Sequence, residues 1–555
     1  MKEGRTFRNT HQIIMPLELS HKHNQNECLE GSERREELVR IQIQALRSMG
    51  YEQSAELLQR ESGFKLESDV VQSFRECLLK GEWTSVLAFI DDALRDEPNK
   101  KNEVAFLVYE QEYLEHVHNG ETVSALECLQ TRLTPLVMKA EAVSGTTEQV
   151  RVLSSTRLHS LSSVLMCDGP SVLESKMHWG SGSNQHKSRM ALLTSIQGYF
   201  PASLMMAENR LDALIHQAEQ YQQSECRYHN GSDPTQPPSL LVDHRCSPKS
   251  LPRVTKHIFT NHTDEVWFVK FSNSGEYLAA ASKDQTVCIW EVATYALKHT
   301  LRGHSMPISF VSWSWDDKLL LTCSNDKSVR MWDLEKEKEG GTLLLDIQEH
   351  TQSVTSCAWS PKKDFFISAG LDQLMCVWDM SGNKLHSWEG VRINDLSVTR
   401  DGKYLVGICH EKKIRIYDMK TFAEEQIQEN DSITSLSVSA DSKFLLVNLS
   451  SQEIHLWNLD ERRLITKYYG QKQGKFVIRS CFGGHNDAFV ISGSEDYNIY
   501  MWHRNSAELL DVLEGHLGTV NSVTWSPTNP RLFASCSDDK TVRLWGVDDN
   551  PSGTS

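Results

Sequence analysis

Residues 515–545, GHLGTVNSVTWSPTNPRLFASCSDDKTVRLW, consist of short apolar runs separated by polar turns. Apolar residues that alternate with small or polar ones over runs this short are typical of half-buried β-strands. His516 opens the stretch and Trp545 closes it 29 residues later, with Ser535 and Asp539 between them. The same order of residues recurs through the second half of the chain.

The recurrence is clearest in the aromatic residue that closes each copy. Successive closing aromatics are 42, 46, 39, 40, 45 and 43 residues apart. They are Trp290, Trp332, Trp378, Tyr417, Trp457, Trp502 and Trp545. A β-branched residue that opens a strand stands 24 or 25 residues before each of them. This period is that of a four-stranded propeller blade, so the sequence predicts a seven-bladed β-propeller over residues 253–547.

These repeats resemble the WD40 family, in which a hydrogen-bonded His–Ser/Thr–Asp–Trp tetrad often stabilises a blade. Carried over by position, three blades have the full set: His304, Thr322, Asp326 and Trp332; His350, Ser368, Asp372 and Trp378; His516, Ser535, Asp539 and Trp545. The first blade has Ala280 in place of the hydroxyl residue. Because the set repeats and a buried carboxylate must be hydrogen-bonded, we interpret the tetrads as structural rather than catalytic.

Two further features concern the completeness of the ring. The last repeat leaves no room for an outer strand after Val547, and residues 253–262, RVTKHIFTNH, can supply it and close the ring. The fourth, fifth and sixth blades have Glu389, Glu429 and Gln473 where the tetrad histidine would stand. We interpret these three as degenerate blades in preference to a binding role.

The sixth blade contains a second Gly-His sequence, in FGGHNDAFVISGSEDYNIYMWHR, residues 482–504. Its histidine lies only 17 residues before Trp502, whereas the tetrad histidines lie 28 or 29 residues before their tryptophans. The pattern predicts a first strand over Phe476–Phe482 and a second over Phe489–Ser494. His485, Asn486 and Asp487 are therefore predicted in the loop between these strands, on the face opposite the tetrad histidines.

The first half of the chain has helical patterns. Residues 1–32 are polar and predicted to be a disordered tail. Residues 34–66 predict two short helices separated at Gly50, and LVRIQIQALRSMGYEQSAELLQRESG resembles a LisH motif. Two such helices cannot cover their own apolar residues, and the resemblance implies dimerisation. The predicted dimerisation residues are Leu38, Ile41, Ala45, Leu46 and Leu58.

The next four predicted helices resemble a CTLH motif, over residues 67–136, and end near Pro135. Residues 137–228 are predicted to be a further helical region, mainly over 145–166 and 187–226. A linker over 229–252 and a short tail over 548–555 complete the predicted domains.

Composition limits the classes of function. The net charge of −16 disfavours an extended nucleic-acid surface. A signal peptide and a membrane span are not expected, and we expect the chain in the cytoplasm and nucleus. The 13 cysteines include no C-x-x-C pair and are interpreted as mainly buried and structural. We find no phosphate-binding loop, zinc-protease motif or nucleophile elbow, and expect no catalytic residue, metal or cofactor.

The order LisH, CTLH and propeller resembles the WD-repeat subunits of GID/CTLH ubiquitin ligases. Segments such as SLLVDHRCS, SWEGVRI, CFGGHNDAFVISGSED and GHLGTVNSVTWSP carry the likeness, which runs from about residue 34 to 547. It implies a non-catalytic scaffold or substrate-recruiting subunit that acts in protein degradation. Its expected partners are LisH–CTLH and RING-bearing subunits, a substrate or substrate receptor, and a second copy. The alternatives are a LisH–CTLH–WD40 scaffold in splicing or transcriptional co-repression and, at lower weight, a propeller hydrolase.

A recruitment surface is predicted by comparing the blades column by column just after each strand opener. Bulky residues stand there in the first, second and sixth blades, where other blades have mostly small polar ones. Aromatic and arginine residues dominate protein-binding hot spots. The predicted rim residues, near the tetrad-bearing end of the channel, are Trp267, Phe268, Phe310, Arg392 and Arg479. The alternative interpretation is that Trp267 and Phe268 fill space between blades.

Overall fold

A computed structural model describes residues 25–143, 153–165, 185–201, 203–231, 239–335, 340–361, 364–390, 392–421 and 423–548. The chain divides into two compact units, residues 1–218 and 219–555. The first is helical and the second contains the propeller. The predicted fold class, a helical region followed by a seven-bladed propeller, is confirmed.

The described helices are short and closely spaced. They are α1 Gln25–Ser48, α2 Glu52–Ser62, α3 Asp69–Lys80, α4 Trp83–Ala93, α5 Pro98–His118, α6 Thr122–Cys128, α7 Thr134–Val143, α8 Ser155–Leu165, α9 Gln185–Gln197 and α10 Arg210–Glu225. Within the described part of the chain, none of them combines the length and apolar character that crossing a membrane requires.

Helix α1 begins at Gln25, inside the segment predicted to be a tail. Gly50 then adopts a φ of +84°, a left-handed conformation that glycine reaches without strain and that separates α1 from α2. Ile43 and Ala55 are buried where the two helices pack against each other. The hairpin therefore has an internal core, while part of its apolar surface stays outside it.

Helices α3 to α9 supply two apolar cores, one around Phe74 and Ile90 and the other around Phe106 and Leu133. The prediction that the helices end near Pro135 was wrong, because a π-helical turn over Leu129–Leu133 leads directly into α7. Pro135 follows the π-helical turn, where the regular i→i+4 hydrogen bonding is already interrupted, so the N–H that proline lacks does not end the helix.

The region predicted as helical over 137–228 is interrupted. The described residues between Gln197 and Arg210 are not helical and separate α9 from α10, within the stretch 187–226 where further helix was predicted. Much of the predicted helix over 145–166 and its following loop lies outside the described residues. Helix α9 is fixed to α5 by Arg189, whose guanidinium lies 2.7 Å from the carboxylate of Glu115.

The propeller has seven four-stranded antiparallel sheets. The strands are β1 Val254–Phe259, β2 Val266–Phe271, β3 Tyr277–Ser282, β4 Thr286–Glu291, β5 Leu297–Arg302, β6 Ile308–Trp313, β7 Leu319–Ser324, β8 Val329–Asp333, β9 Thr342–Ile347, β10 Val354–Trp359, β11 Phe365–Gly370, β12 Leu374–Asp379, β13 Lys384–Glu389, β14 Ile393–Val398, β15 Tyr404–Cys409, β16 Lys413–Asp418, β17 Glu424–Gln428, β18 Ile433–Val438, β19 Phe444–Leu449, β20 Glu453–Asn458, β21 Arg463–Tyr469, β22 Ser480–Gly483, β23 Phe489–Ser492, β24 Ile499–His503, β25 Leu509–Leu513, β26 Val520–Trp525, β27 Leu532–Ser537 and β28 Val542–Gly546. The first strand of each repeat lies innermost.

The ring closes as predicted. Strand β1 pairs antiparallel with β28, with Phe259 opposite Val542, so the first residues of the propeller complete the last blade. Strand β1 thereby covers the edge of β28, which a three-stranded last blade would expose.

The inner strand of the sixth blade is shorter than predicted. It spans Ser480–Gly483 instead of Phe476–Phe482. The carboxylate of Glu495 accepts hydrogen bonds of 2.8–2.9 Å from the backbone N–H groups of Gly474, Lys475 and Phe476, which holds these residues in a loop. The backbone of Arg479 bonds to Asn521 of the next blade instead of its own sheet.

Candidate protein-binding cavity of the propeller

The tetrads lie between the strands of their blades and are hydrogen-bonded throughout. In the second blade, His304 Nδ1 lies 2.8 Å from Asp326, and its Nε2 lies 2.7 Å from the Thr322 hydroxyl. Trp332 donates to the same hydroxyl over 3.0 Å. An ionised carboxylate only accepts, so the proton of a neutral His304 resides on Nδ1. The third and seventh blades repeat this geometry through His350, Ser368, Asp372 and Trp378 and through His516, Ser535, Asp539 and Trp545.

The first blade lacks one link of this network. His262 lies 3.0 Å from Asp284, but Ala280 offers no hydroxyl, and Trp290 donates to Asn261 instead. His262 Nε2 is consequently a buried nitrogen without a hydrogen-bond partner among the described residues. A buried polar atom left in this state costs stability.

The fifth blade has a different buried network in place of the tetrad. Glu429 accepts from Trp457 over 2.6 Å and lies 3.0 Å from His455 Nδ1. The second ring nitrogen of His455 lies 2.9 Å from Glu453. Burial alone would lower the pKa of His455, but these two carboxylates outweigh it and raise that pKa. Glu429 stands where other blades have the tetrad histidine, and its bonds to His455 and Trp457 take the place of the tetrad's hydrogen bonds.

The central channel contains a cavity of about 610 Å³. Its walls are the inner strands of all seven blades, from mid-channel to the loops that join each inner strand to the second strand of its blade. These loops lie at the end of the channel opposite the loops that carry the tetrad histidines. We call this opening the cavity mouth.

Arg479 is one of the basic residues that line the cavity, together with Lys270 and Arg400. Its guanidinium carbon lies 5.1 Å from the centre of the Phe268 ring and 5.5 Å from that of Phe310, within cation–π range. Its Nε lies 3.7 Å from Asp395 Oδ2, which completes an ion pair. Burial raises the pKa of Asp395, and Arg479 acts in the opposite direction. The deep wall therefore presents a cation stacked on two aromatic rings beside a buried acid.

The Gly-His loop of the sixth blade lies at the cavity mouth. His485 and Asn486 are exposed there, and Asp487 accepts from the backbone N–H of Ala440 over 2.7 Å. Arg504 donates to the carbonyl of Asn486 over 3.2 Å. These bonds to neighbouring segments hold the loop in place, so its exposed side chains form a fixed part of the opening.

The five predicted rim residues do not form one surface. Phe268, Phe310 and Arg479 line the cavity. The two phenylalanines are largely buried, and their ring centres lie 4.2 Å apart between the first two blades. Trp267 is half-buried, donates to Glu265 over 3.0 Å and lies outside the cavity lining. Arg392 is exposed just before strand β14, also outside the lining. Three of the five thus line the cavity wall and two lie outside it, and their shared role in binding a partner stays a prediction.

Sequence reasoning did not select several residues of the cavity mouth. Trp315 lines it and is 41% exposed, and Arg400 and Pro527 lie in other loops of the same opening. The available signal was Trp315 itself, an aromatic residue in the turn position that other blades fill with small or polar residues. An exposed tryptophan at a concave opening is a typical protein-binding feature.

The helical unit carries a separate apolar surface. Of the predicted dimerisation residues, Leu38 is 55% exposed, and the others are half-buried. These others are Ile41, Ala45, Leu46 and Leu58. Met49, Tyr51 and Leu57 of the same hairpin are also exposed, whereas the buried contact is made by Ile43. The hairpin thus keeps large apolar side chains on its surface in the single chain.

A group of histidine and cysteine side chains lies at the end of the predicted helical region and in the predicted linker that follows it. Cys226, His244 and Cys246 place their ligand atoms within 4.8 Å of one another, and His229 adjoins them. Burial, helped by His244 and His485, lowers the pKa of His229 to about 4. The available sequence signal was the C-x-x-H spacing of Cys226 and His229 and the H-x-C spacing of His244 and Cys246.

Comparison with known proteins adds an independent finding. The sequence profile of the WDR26 Lis-homology domain matches residues 25–68, and the WD domain, G-beta repeat profile matches 253–291, 295–333, 341–379 and 507–546. GID complex subunit 7 of Schizosaccharomyces pombe is 38% identical over 93% of this chain and 98% of its own length. The WD repeat-containing protein 26 homologs of Arabidopsis thaliana and Drosophila melanogaster are 37% and 36% identical over 93% and 94% of this chain, and over 85% and 81% of their own lengths.

Proposed function

The chain belongs to the family of WD repeat-containing protein 26 and GID complex subunit 7, and from this premise we propose that it is a scaffold and substrate-recruiting subunit of a GID/CTLH-type ubiquitin ligase. In this role it binds other subunits through its helical unit and captures a substrate or a substrate receptor through its propeller. Ubiquitin-dependent degradation of the captured protein is the proposed outcome.

The observation that carries the proposal is the likeness to GID complex subunit 7 over 98% of that protein's length. A likeness of this extent includes the helical unit as well as the propeller. The cavity supports the recruiting role, because it combines an exposed tryptophan, a stacked arginine and an ordered loop in one concave opening. Concave sites with a few fixed polar groups and aromatic walls are suited to binding a peptide segment.

A non-catalytic role is proposed for the chain itself. The cavity contains Cys481, and burial raises the pKa of its thiol, so the thiolate needed for nucleophilic attack is disfavoured. Asp395, a potential general base, is engaged with Ser356 over 2.9 Å and with Arg479. The tetrad histidines, which share the residue types of a catalytic triad, are buried between strands where a substrate cannot reach them.

The proposed partners are RING-bearing and other LisH–CTLH subunits, a substrate or its receptor, and a second copy of this chain. Exposed Leu38, Met49, Tyr51 and Leu57 on one small hairpin support self-association, since apolar side chains grouped in this way gain free energy when a partner covers them. We propose that the complex acts in the cytoplasm and the nucleus.

The test is purification of the tagged full chain from native cells. We expect RING-bearing ubiquitin-ligase subunits to co-purify, and the reconstituted complex to ubiquitylate a captured protein only when this chain is present. Recovery of spliceosomal or chromatin proteins alone would overturn the ligase assignment. Discharge of a ubiquitin-charged conjugating enzyme by this chain alone would overturn the non-catalytic role.

A further inference from the structure

Four potential metal ligands converge in two short stretches of the propeller unit. One stretch carries Cys226 and His229, and the other carries His244 and Cys246. His244 Nε2 lies 2.9 Å from His229 Nδ1 and 3.1 Å from Cys246 Sγ. Cys246 Sγ lies 3.6 Å from His229 Nδ1, and the Cys226 sulfur is within 4.8 Å of the His244 and Cys246 ligand atoms.

These separations resemble the edges of a metal-centred tetrahedron. With Zn–N bonds of about 2.0 Å and Zn–S bonds of about 2.3 Å, ideal edges are roughly 3.3 Å between two nitrogens and roughly 3.5 Å between nitrogen and sulfur. The distances of 2.9, 3.1 and 3.6 Å among His229, His244 and Cys246 are close to these values. His229, His244 and Cys246 would need only small shifts to bind one ion, and the Cys226 sulfur, within 4.8 Å of the His244 and Cys246 ligand atoms, would be the fourth ligand.

The ligand types identify the class of metal. Two thiolates with two neutral imidazoles form the Cys₂His₂ set typical of structural Zn²⁺, and hard cations such as Mg²⁺ or Ca²⁺ prefer oxygen ligands. The backbone N–H of Cys246 also lies 3.4 Å from the Cys226 sulfur, a bond that stabilises a thiolate. We propose that Cys226, His229, His244 and Cys246 bind one structural Zn²⁺ ion.

The proposed ion would join two stretches that pack on the sixth and seventh blades. Between its ligands, Asn230 donates to the carbonyl of Pro530 over 2.6 Å and accepts from the backbone N–H of His485 over 3.2 Å. The His229 ring lies 5.9 Å from the His485 ring, centre to centre. The ion therefore fixes the segment that supports the Gly-His loop at the cavity mouth.

Binding requires no redox change. Each cysteine thiol loses its proton to solvent, and the two thiolates balance the charge of the ion. His229 Nδ1 and His244 Nε2 share a hydrogen bond, so the nitrogen that donates it must lose its proton, and the other nitrogen of the same ring must gain one from solvent, before both nitrogens can bind the ion through lone pairs. The competing arrangements are a hydrogen-bonded cluster without metal and a disulfide between Cys226 and Cys246, in which both sulfurs would be oxidised. No disulfide joins Cys226 to Cys246 in the structure.

The test measures metal in the full chain, purified under reducing conditions from cells grown with zinc. We expect one zinc per chain by elemental mass spectrometry. After replacement by Co²⁺, we expect the visible spectrum of a tetrahedral site with thiolate charge-transfer bands. Removing zinc with a strong chelator should lower the melting temperature of the propeller. Adding zinc back should restore it. Wild-type protein that holds no zinc even after incubation with zinc salt overturns the proposal.

Variants locate the site. Cys226→Ser with Cys246→Ser should abolish zinc binding, and Cys77→Ser, at a similarly half-buried cysteine in the helical unit, should leave one zinc in place. If the double variant does not fold, thiol labelling of the wild type still decides: zinc should protect Cys226 and Cys246 until the chelator is added. A mass lower by two hydrogens, with both thiols unreactive after chelation, would instead show the disulfide.

Discussion

The guanidinium carbon of Arg479, in the sixth blade, lies 5.1 Å from the centre of the Phe268 ring, in the first blade. The two residues are distant in sequence, and the seventh blade lies between theirs. Their contact, together with the ion pair to Asp395, couples blades that share no hydrogen-bonded strand. The arginine thus contributes to closure of the ring as well as to the charge of the cavity.

The first prediction concerns this coupling. Arg479→Ala should leave Asp395 buried without its cation and destabilise the propeller by about 3–5 kcal/mol, the range for breaking a buried ion pair. Adding Asp395→Asn should restore part of the loss, because the amide does not need a counter-charge. Thermal unfolding of the wild type, both single variants and the double variant gives the coupling energy. Additive losses in the double variant would show that the ion pair does not stabilise the ring.

The second prediction concerns the incomplete tetrad of the first blade. Ala280→Ser should give His262 Nε2 a hydroxyl partner, as Thr322 does for His304 in the next blade, and stabilise the propeller by about 0.5–1.5 kcal/mol. Ala279→Ser, one residue away and equally buried in an apolar cluster, is the matched control and should destabilise. A melting temperature that is unchanged or lowered by Ala280→Ser would contradict the prediction.

The third prediction follows from the tetrad carboxyl groups. Burial alone would raise the pKa values of Asp284, Asp326 and Asp539, but hydrogen bonds from their histidines and neighbouring groups outweigh it and hold these values below the ordinary range. A group with a lowered folded-state pKa contributes stability that is present above its unfolded value, about 3.9, and is lost as the pH falls further. The melting temperature of the propeller should therefore fall steeply below about pH 4.

Asp539→Asn provides the control for this dependence. It should lower the melting temperature near neutral pH and make the fall in acid shallower, because one of the three groups no longer titrates. Melting curves recorded by differential scanning fluorimetry across the acid range suffice. A wild type whose stability stays constant through this range would be inconsistent with the proposed linkage.

The blades were predictable because their information is local and repeated. The spacing of Trp332, Trp378 and Trp545 gives the period, and each tetrad lies within one repeat. The cavity depends on contacts between repeats, such as Arg479 on Phe268, which no single period encodes. Strand β22 is shorter than its apolar pattern predicted. The carboxylate of Glu495 accepts hydrogen bonds from backbone N–H groups just before it, and these bonds hold that segment in a loop.

The fourth prediction concerns self-association through the LisH hairpin. Leu38→Asp places a charge on an exposed apolar position, so it should spare the hairpin's own packing and disfavour any interface that buries it. Leu46→Asp places the same charge at a half-buried position of the hairpin and should also disfavour the dimer. Light scattering should show a dimer for the wild type and a monomer for Leu38→Asp, with the same propeller melting temperature. A wild-type monomer at micromolar concentration would refute the dimer.

The fifth prediction decides which end of the channel recruits a partner, and it depends on the proposed function. Trp315→Ala, at the cavity mouth, should weaken capture of a substrate or receptor by about 2 kcal/mol, roughly 30-fold, as expected for a hot-spot tryptophan. Its side chain is 41% exposed, so the loss should not come from unfolding. Arg392→Ala is the matched change outside the cavity lining and should leave capture intact. Titration of the purified partner against both folded variants measures the difference. In the reverse result, Arg392→Ala would weaken capture and Trp315→Ala would leave it intact. That result would assign the recruiting surface to the tetrad end of the channel, where the aromatic and arginine residues of the sequence predicted it.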